Sequence, residues 1–233
     1  MNGIAGRAVE LATIPLGTGM DFGRTYGIPK AFEEAVRVAA GGAARTIDAG
    51  RVSYRTGAGE LAERWFANVA SVGMSGAVAQ RANSMSKALG GRLTFFYALT
   101  RVFLEWRNTE VAVRLDGGAA RRGRMHDVVV ANGVWHGGGM MLAPGASPDD
   151  GRFDVVLIGD VSKLDFLTTA PRIYSGTHVR HRKVEVVRST RVEVDAAVPL
   201  PVELDGEQVG TTPATFEVVP RALRVRVPSS TSS

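Results

Sequence analysis

Residues 13–24 read TIPLGTGMDFGR, an apolar strand that ends in a Gly-Thr-Gly turn and is followed at once by an acid and a helix-compatible run. A turn of this kind exposes backbone N–H groups at a point where a phosphate can bind. Many strand-to-helix turns carry glycines only because they permit positive φ angles. Gly17 and Gly19 therefore leave two interpretations open, a phosphate turn and a plain structural turn.

The flanking sequence extends this unit in both directions. Val9–Pro15 is typical of a buried strand, and 29–40 is typical of a helix that proline opens and Gly41-Gly42 ends. A single strand-turn-helix unit cannot form a parallel sheet, which needs further strands and crossover helices. We therefore expect residues 1–45 to be a remnant of an α/β domain.

From Arg45 onward the pattern changes to short alternating strands separated by polar turns, which favours an antiparallel β-sandwich over residues 46–228. Two helices are predicted within it, at 84–106 and 163–172, and residues 229–233 have the composition of a disordered tail. The predicted fold class is α+β. The predicted strands are 46–54, 64–69, 110–115, 127–131, 152–158, 183–188, 191–194, 201–204, 215–219 and 222–227.

Composition bounds the class of protein. With 233 residues and 45% hydrophobic content, the chain can bury a full core. The net charge of +5 suits anionic partners such as a nucleotide, phospholipid headgroups or nucleic acid. The absence of cysteine excludes disulfides, thiolate metal sites and a cysteine nucleophile. No apolar run reaches the ~18 residues that cross a bilayer, and no signal-peptide pattern is present, so we expect a cytoplasmic protein.

Further glycine-rich and acidic motifs follow the turn at 17–19 in a fixed order. They are Asn132-Gly133, Gly137-Gly138-Gly139-Met140, Ala143-Pro144-Gly145-Ala146, Asp149-Asp150-Gly151-Arg152-Phe153-Asp154 and Glu203-Leu204-Asp205-Gly206-Glu207. In this order, from about Ala12 to about Pro228, the chain resembles the diacylglycerol kinase catalytic family. The soluble bacterial lipid kinases are the nearest resemblance, and the sphingosine kinases a more distant one.

Members of that family carry a Gly-Gly-Asp-Gly-Thr phosphate loop upstream of the Pro-Leu-Gly-Thr-Gly turn, and no such motif occurs in these 233 residues. The resemblance therefore implies the second part of a lipid kinase without its nucleotide-binding half. A truncated gene, a misplaced start codon and one half of a split pair would all give this pattern.

Asp205 and Glu207 are the candidate catalytic residues. The resemblance implies that Glu207 accepts the proton of a lipid hydroxyl as it attacks the γ-phosphate of ATP, with Asp205 involved in the same step. A modest base within hydrogen-bond reach suffices for such a transfer. The alternative is a plain hairpin turn, because Asp-Gly is a common hairpin sequence.

The resemblance also implies a structural Mg²⁺ bound by the side chain of Asp150 and the backbone carbonyls of Ser147 and Arg152. A hard cation accepts carbonyl oxygens together with one carboxylate and keeps its remaining waters. The alternative is again an Asp-Gly turn.

The resemblance assigns Gly17, Thr18, Gly19 and Asp21 to ATP binding. Met20 departs from the family pattern, in which asparagine is usual at that position. A thioether supplies neither the donors nor the strong acceptor of an amide.

We therefore expect an ATP-dependent lipid kinase that uses Mg²⁺, contacts the inner face of the membrane peripherally and does not bind nucleic acid. The protein partners that we consider are a second copy of this chain, which would form a homodimer, and a separate N-terminal half. The alternative function is a non-catalytic lipid- or partner-binding protein. The aromatic-rich stretch 93–106 is assigned to core packing, with a lipid-binding face as its alternative.

Overall fold

The computed structural model describes residues 2–16, 20–85 and 91–229, and twelve of its strands form one strongly curled sheet. The order along the main path is β11-β10-β7-β4-β13-β14-β12-β5-β6, with β1 and β2 added at β14 and β3 added at β2. A small hairpin, β8–β9, stands apart from it. The strands are β1 Glu10–Leu11, β2 Ala43–Arg55, β3 Leu61–Phe66, β4 Val69–Gly73, β5 Thr109–Leu115, β6 Arg121–Met125, β7 Asp127–Ala131, β8 Trp135–His136, β9 Met140–Met141, β10 Phe153–Ile158, β11 Val184–Ser189, β12 Arg191–Ala196, β13 Pro201–Leu204 and β14 Glu207–Val227.

The helices are α1 Asp21–Thr25, α2 Phe32–Gly41, α3 Met74–Ser84, α4 Gly91–Glu105 and α5 Lys163–Ile173, with a short 3-10 helix at Thr177–Arg180. The predicted antiparallel, mainly β class is confirmed, since every described strand pair except one runs antiparallel. The exception is β1, which pairs parallel with β14 through Glu10 and Leu11 only. The predicted strand Val9–Pro15 is therefore much shorter than expected.

The main core lies inside the curl of the sheet, where three phenylalanine rings meet. Phe66 stacks on Phe153 with ring centroids 5.6 Å apart and meets the edge of Phe216 at 6.3 Å. Gly50 lies so close to the Phe66 ring that a Cβ there would collide with it. The absence of a side chain at Gly50 thus allows the Phe66 ring to pack against β2.

The N-terminal helices pack on the same sheet as the rest of the chain. Tyr26, Ile28 and Ala35 form a second buried cluster with Ile47 of β2 and Leu223 of β14. Strand β2 runs through the predicted boundary between residues 45 and 46 and belongs to both clusters. The division into domains at that point stays a prediction.

Three secondary-structure predictions were wrong in detail. The predicted strand 64–69 is interrupted after Phe66, and the predicted strands 215–219 and 222–227 form one strand, β14, with a register shift between Val219 and Leu223. The predicted helix 84–106 is confirmed over Gly91–Glu105, whereas Ser84 ends a separate helix, α3, which the sequence did not predict. The predicted disordered tail lies outside the described residues except for Ser229.

Candidate functional site

The hairpin between β13 and β14 presents the predicted catalytic pair. Asp205 and Gly206 form its two-residue turn with φ angles of 49° and 95°. Positive φ at both central positions is characteristic of the type I′ hairpin, whose twist matches that of the strands it joins. The alternative interpretation of Asp-Gly as a hairpin turn is therefore correct in structural terms. It does not decide what the turn does.

Asp205 fixes this turn to the rest of the sheet. Its carboxylate accepts hydrogen bonds from the backbone N–H groups of Ala67, Asn68 and Val69, at 2.8, 3.0 and 3.1 Å. Those donors lie in the break between β3 and β4, and the Asp205 N–H donates back to the Val69 carbonyl at 2.9 Å. The residue itself is exposed on the turn, but its carboxyl is turned inward, where desolvation raises its pKa against the opposing effect of the three N–H donors.

Glu207 lies on the solvent side of the same turn. Its side chain is 74% exposed, and its Oε2 is 3.4 Å from the Arg64 guanidinium. An exposed pair at this distance constrains the carboxylate only weakly. Glu207 is therefore free to meet a substrate, whereas Asp205 is already occupied by backbone donors.

Glu203, two residues before Asp205, supports the candidate site and was not singled out from the sequence. It is 1% exposed. Its carboxylate accepts hydrogen bonds from the Ser71 hydroxyl at 2.8 Å and from the Gly206 N–H, and it lies 3.5 Å from Nε2 of His136. Burial raises the pKa of Glu203. The Glu203 carboxylate therefore supports the Asp205-Gly206 turn from its buried side.

A second buried carboxylate, Asp127, holds the start of α3. Its Oδ2 accepts the Ser75 N–H at 3.0 Å and also the Ser75 hydroxyl. Burial raises the pKa of Asp127 to about 7. Gly73 passes over this carboxylate at a φ of 130°, a conformation that L side chains rarely adopt. At its other end α3 approaches the hairpin, where Asn83 Nδ2 lies 3.5 Å from the Gly206 carbonyl.

The predicted phosphate turn is described only in part, because Gly17, Thr18 and Gly19 lie outside the described residues. Asp21 begins α1 and is 9% exposed. Its two oxygens accept the N–H groups of Gly138 and Gly139 at 2.7 and 2.8 Å, and Arg24 pairs with it at 3.2 Å. Asp21 thus anchors a glycine loop, and ATP binding by it stays a prediction.

The glycine loop returns toward α1 in backbone conformations that favour glycine. Gly137, Gly138 and Gly139 have φ angles of 63°, 87° and 104°. A Cβ at Gly139 would lie 2.5 Å from the Arg24 guanidinium. Only glycine permits this close return of the chain toward α1.

The loop of the predicted Mg²⁺ site is held by another acid that the sequence analysis did not single out. Asp48 of β2 is 1% exposed. Its carboxylate accepts the N–H groups of Gly151 and Arg221 at 2.7 and 2.8 Å, and its own N–H donates to the Pro148 carbonyl at 2.7 Å. One side chain therefore joins the 147–152 loop to β2 and to the bend in β14.

The donor set at 147–152 does not fit a metal ion as it is arranged. One oxygen of Asp150 accepts the Arg152 N–H at 3.1 Å, and the other is paired with the Arg188 guanidinium. Among the described residues, no group of three or more His, Cys, Asp or Glu side chains could hold a metal. A cation bound by Ser147, Asp150 and Arg152 would have to displace Arg188, so that site stays a prediction and no chemical step is derived through it.

An apolar groove of about 1020 Å³ runs between α3, α4 and the loop before β13. Its apolar lining includes Ala77, Val102, Trp106 and Leu200, and three charged residues, Arg81, Glu105 and Arg107, also line it. The groove follows α3 from Ala77 to Ser84, and the last turn of that helix lies beside the Asp205-Gly206 turn. No helix within the described ranges is long and apolar enough to cross a membrane.

Two family models match the chain. The diacylglycerol kinase catalytic domain matches residues 1–52, and the YegS C-terminal NAD kinase beta sandwich-like domain matches residues 68–227. Together they cover both the anchored α1 segment and the curled sheet.

Relatives and solved structures agree with these matches. A diacylglycerol kinase of Mycobacterium tuberculosis is 31% identical over 226 residues, covering 97% of this chain and 71% of the relative. A Bacillus subtilis diacylglycerol kinase is 29% identical, covering 94% and 69%. The solved structure of a diacylglycerol kinase from Bacillus anthracis has the same fold, with a TM-score of 0.66 at 18% identity, covering 97% of this chain and 70% of that one. This chain therefore belongs to the diacylglycerol kinase family of lipid kinases.

Proposed function

We propose that this chain carries the lipid-binding and base-bearing part of an ATP-dependent lipid kinase, which transfers the γ-phosphate of ATP to a lipid hydroxyl. The observation that carries the proposal is the hairpin. An exposed carboxylate, Glu207, stands on a turn that Asp205 and Glu203 fix from two sides. A rigidly supported and accessible base meets the geometric need of phosphoryl transfer, in which positioning dominates.

Within this mechanism Glu207 accepts the hydroxyl proton as the oxygen attacks phosphorus. Arg64, 3.4 Å away, is an exposed partner that leaves this carboxylate accessible. Asp205 holds the turn through three backbone donors and does not need to exchange a proton. ATP supplies the transferred phosphoryl group and leaves as ADP when the bond between its γ-phosphorus and the bridging oxygen breaks. The charge that develops would be neutralised by Mg²⁺ bound with the nucleotide.

The lipid is proposed to lie with its acyl chains in the groove beside α3 and its hydroxyl at Glu207. The neighbouring helices expose apolar side chains: Leu93, Phe96 and Leu104 of α4 are 65%, 67% and 56% exposed, and Leu164 and Leu167 of α5 are 70% and 59% exposed. α4 and α5 pack together through Phe103 and Phe166, whose ring centroids are 4.7 Å apart. An apolar helix face on a chain of net charge +5 suits peripheral contact with an anionic inner membrane surface.

We further propose that residues outside these 233 supply the Gly-Gly-Asp-Gly-Thr loop, in the same polypeptide or in a separate one. Among the described residues on that side of the sheet, the one parallel strand pair is β1 with β14, which spans two residues. These provide few of the backbone donors that a triphosphate requires. The 233 residues alone are expected to bind ATP weakly in calorimetry.

The test is a phosphorylation assay with radiolabelled ATP and mixed micelles that contain diacylglycerol. The 233-residue chain is assayed after fusion behind a nucleotide-binding segment that carries the Gly-Gly-Asp-Gly-Thr loop. Glu207→Gln should reduce turnover by ~10²–10⁴-fold, because an amide cannot accept the proton. Glu185→Gln is the matched control, since Glu185 is also an exposed carboxylate paired with an arginine, Arg121, at 2.6 Å. Equal turnover in the two variants would exclude Glu207 as the base.

A non-catalytic lipid-binding protein is the second candidate, and Met20 favours it. Met20 has a φ of 54° and precedes α1 without a capping side chain. Asparagine tolerates this left-handed conformation better than methionine does. Binding of anionic vesicles by the chain, without phosphorylation when the nucleotide segment is present, would support this second function and contradict the first.

A further inference from the structure

Two parts of the sequence that are about 185 residues apart, Asp21 and Gly206, are joined by a continuous path of partly buried polar contacts. The path begins at Asp21, whose carboxylate holds the N–H groups of Gly138 and Gly139 at 2.7 and 2.8 Å. We call residues 135–139 the coupling loop. Its far end carries Trp135 and His136, which form β8.

From the coupling loop the path divides into two branches that end on the same turn. In one branch, His136 Nε2 lies 3.5 Å from the Glu203 carboxylate, which accepts the Gly206 N–H. In the other, the Trp135 carbonyl accepts Nδ2 of Asn68 at 2.8 Å, and the Asn68 N–H donates to Asp205 at 3.0 Å.

Burial of the residues on this path makes their hydrogen bonds costly to break. Asp21, Asn68 and Glu203 are 9%, 5% and 1% exposed. In such surroundings a polar group that loses its partner is strongly penalised, so each contact restricts the next. The positive φ angles of the three glycines further limit how the coupling loop can sit on Asp21. Glu203 itself is too deeply buried to touch a substrate, so its role is positioning.

We propose that the coupling loop links Asp21 to the Asp205–Glu207 hairpin, so that the hairpin becomes more ordered when Asp21 holds the two glycine N–H groups. This inference rests on the proposed function, because it treats Asp21 as part of the nucleotide side and Glu207 as the base. Its consequence is that the base is fully ordered when the nucleotide side is formed.

The test is amide hydrogen exchange followed by NMR, which does not depend on kinase activity. Asp21→Asn and His136→Phe each interrupt the path, the first at its start and the second in its middle. Either change should speed exchange of the Gly206 and Asn68 amides by about tenfold or more. The amides of β10 in the core, such as that of Val155, should be unchanged.

Asp116→Asn is the matched control. Asp116 also accepts two backbone N–H groups, those of Thr190 and Arg191, both at 2.9 Å, and its partners belong to the β11–β12 connection rather than to this path. It should leave Gly206 and Asn68 unaffected. If Asp21→Asn fails to fold, His136→Phe decides the question alone. Unchanged exchange at Gly206, or an equal rise at Gly206 and Val155, would overturn the coupling. A failed Glu207→Gln assay would instead overturn the proposed base and leave the exchange result standing.

Discussion

The strongest stability prediction concerns Asp205, because one exposed turn residue satisfies three buried donors. Ala67, Asn68 and Val69 are 2%, 5% and 0% exposed, and their N–H groups all donate to this carboxylate. Asp205→Ala leaves the three groups without their acceptor. A buried donor that loses its partner costs about 1–3 kcal/mol, and water at the exposed turn should keep the cost near the lower end, at about 3 kcal/mol in total.

The backbone conformation of residue 205 adds to the loss of stability in Asp205→Ala. Asp205 has a φ of 49°, and alanine is less tolerant of that region than aspartate, by about 1 kcal/mol. Asp205→Ala should therefore lower the free energy of unfolding by about 4 kcal/mol, against a total of about 5–15 kcal/mol for a typical protein. Asp205→Asn should cost only about 1–2 kcal/mol, because an amide oxygen can still serve the two donors that Oδ1 now accepts.

Urea unfolding followed by far-ultraviolet circular dichroism, with linear extrapolation to water, measures both values. Asp195→Ala is the control, since Asp195 is exposed and its side chain accepts only the neighbouring Ala196 N–H. That control should change stability by less than about 0.5 kcal/mol. If Asp205→Ala and Asp205→Asn were equally stable, or if the alanine variant matched the control, the three hydrogen bonds would not be what holds the hairpin.

Three further predictions follow from single contacts. Met20→Asn should raise the unfolding free energy by about 0.5–1 kcal/mol, because asparagine tolerates the left-handed φ of 54°; a loss of stability in urea titration would contradict this. The pKa of Asp127 is raised to about 7, so the stability that its protonated form contributes is complete below about pH 4 and is lost as the pH rises through 7. Urea midpoints of the wild type should therefore fall relative to those of Asp127→Asn between pH 4 and 7, and parallel curves would count against a raised pKa. Arg188→Met should tighten Mg²⁺ binding in calorimetry by freeing Asp150, and adding Asp150→Asn should abolish the gain; equal affinities would mean that the 147–152 loop is only a turn.

The local sequence was sufficient to predict those elements whose structure depends on neighbouring residues along the chain. Strands Asp127–Ala131 and Pro201–Leu204 begin and end where the sequence predicted, because a short apolar run flanked by turn residues determines its own limits. The Asp205-Gly206 hairpin follows from the same local rule. Membership of the lipid kinase family was likewise predicted from the order of motifs and is confirmed by the family matches.

Local sequence failed where a distant side chain changes the local preference. The run from Arg64 to Val69 has the pattern of one strand, but Asp205 takes the N–H groups at the break and divides it into two. Helix α3 contains Gly76, which weakens its helical pattern. A Cβ at Gly76 would lie 2.5 Å from the Pro201 carbonyl oxygen, so tertiary packing requires glycine at this position. The same glycine is the reason that the sequence did not predict the helix.

The sequence by itself thus determined the antiparallel class, the hairpin and the family. Only the tertiary structure decided which acids are free and which are occupied. The sequence does not distinguish Asp21, Asp150 and Asp205 from Glu207. In the structure, the carboxylate of each of these three aspartates is paired with backbone N–H groups or with an arginine from a distant part of the chain. Glu203 gives no local sign of its role, because its partner Ser71 is 132 positions away. The physical reason is that burial and hydrogen-bond partners, which set what a carboxylate can do, are properties of the assembled sheet and not of the residue.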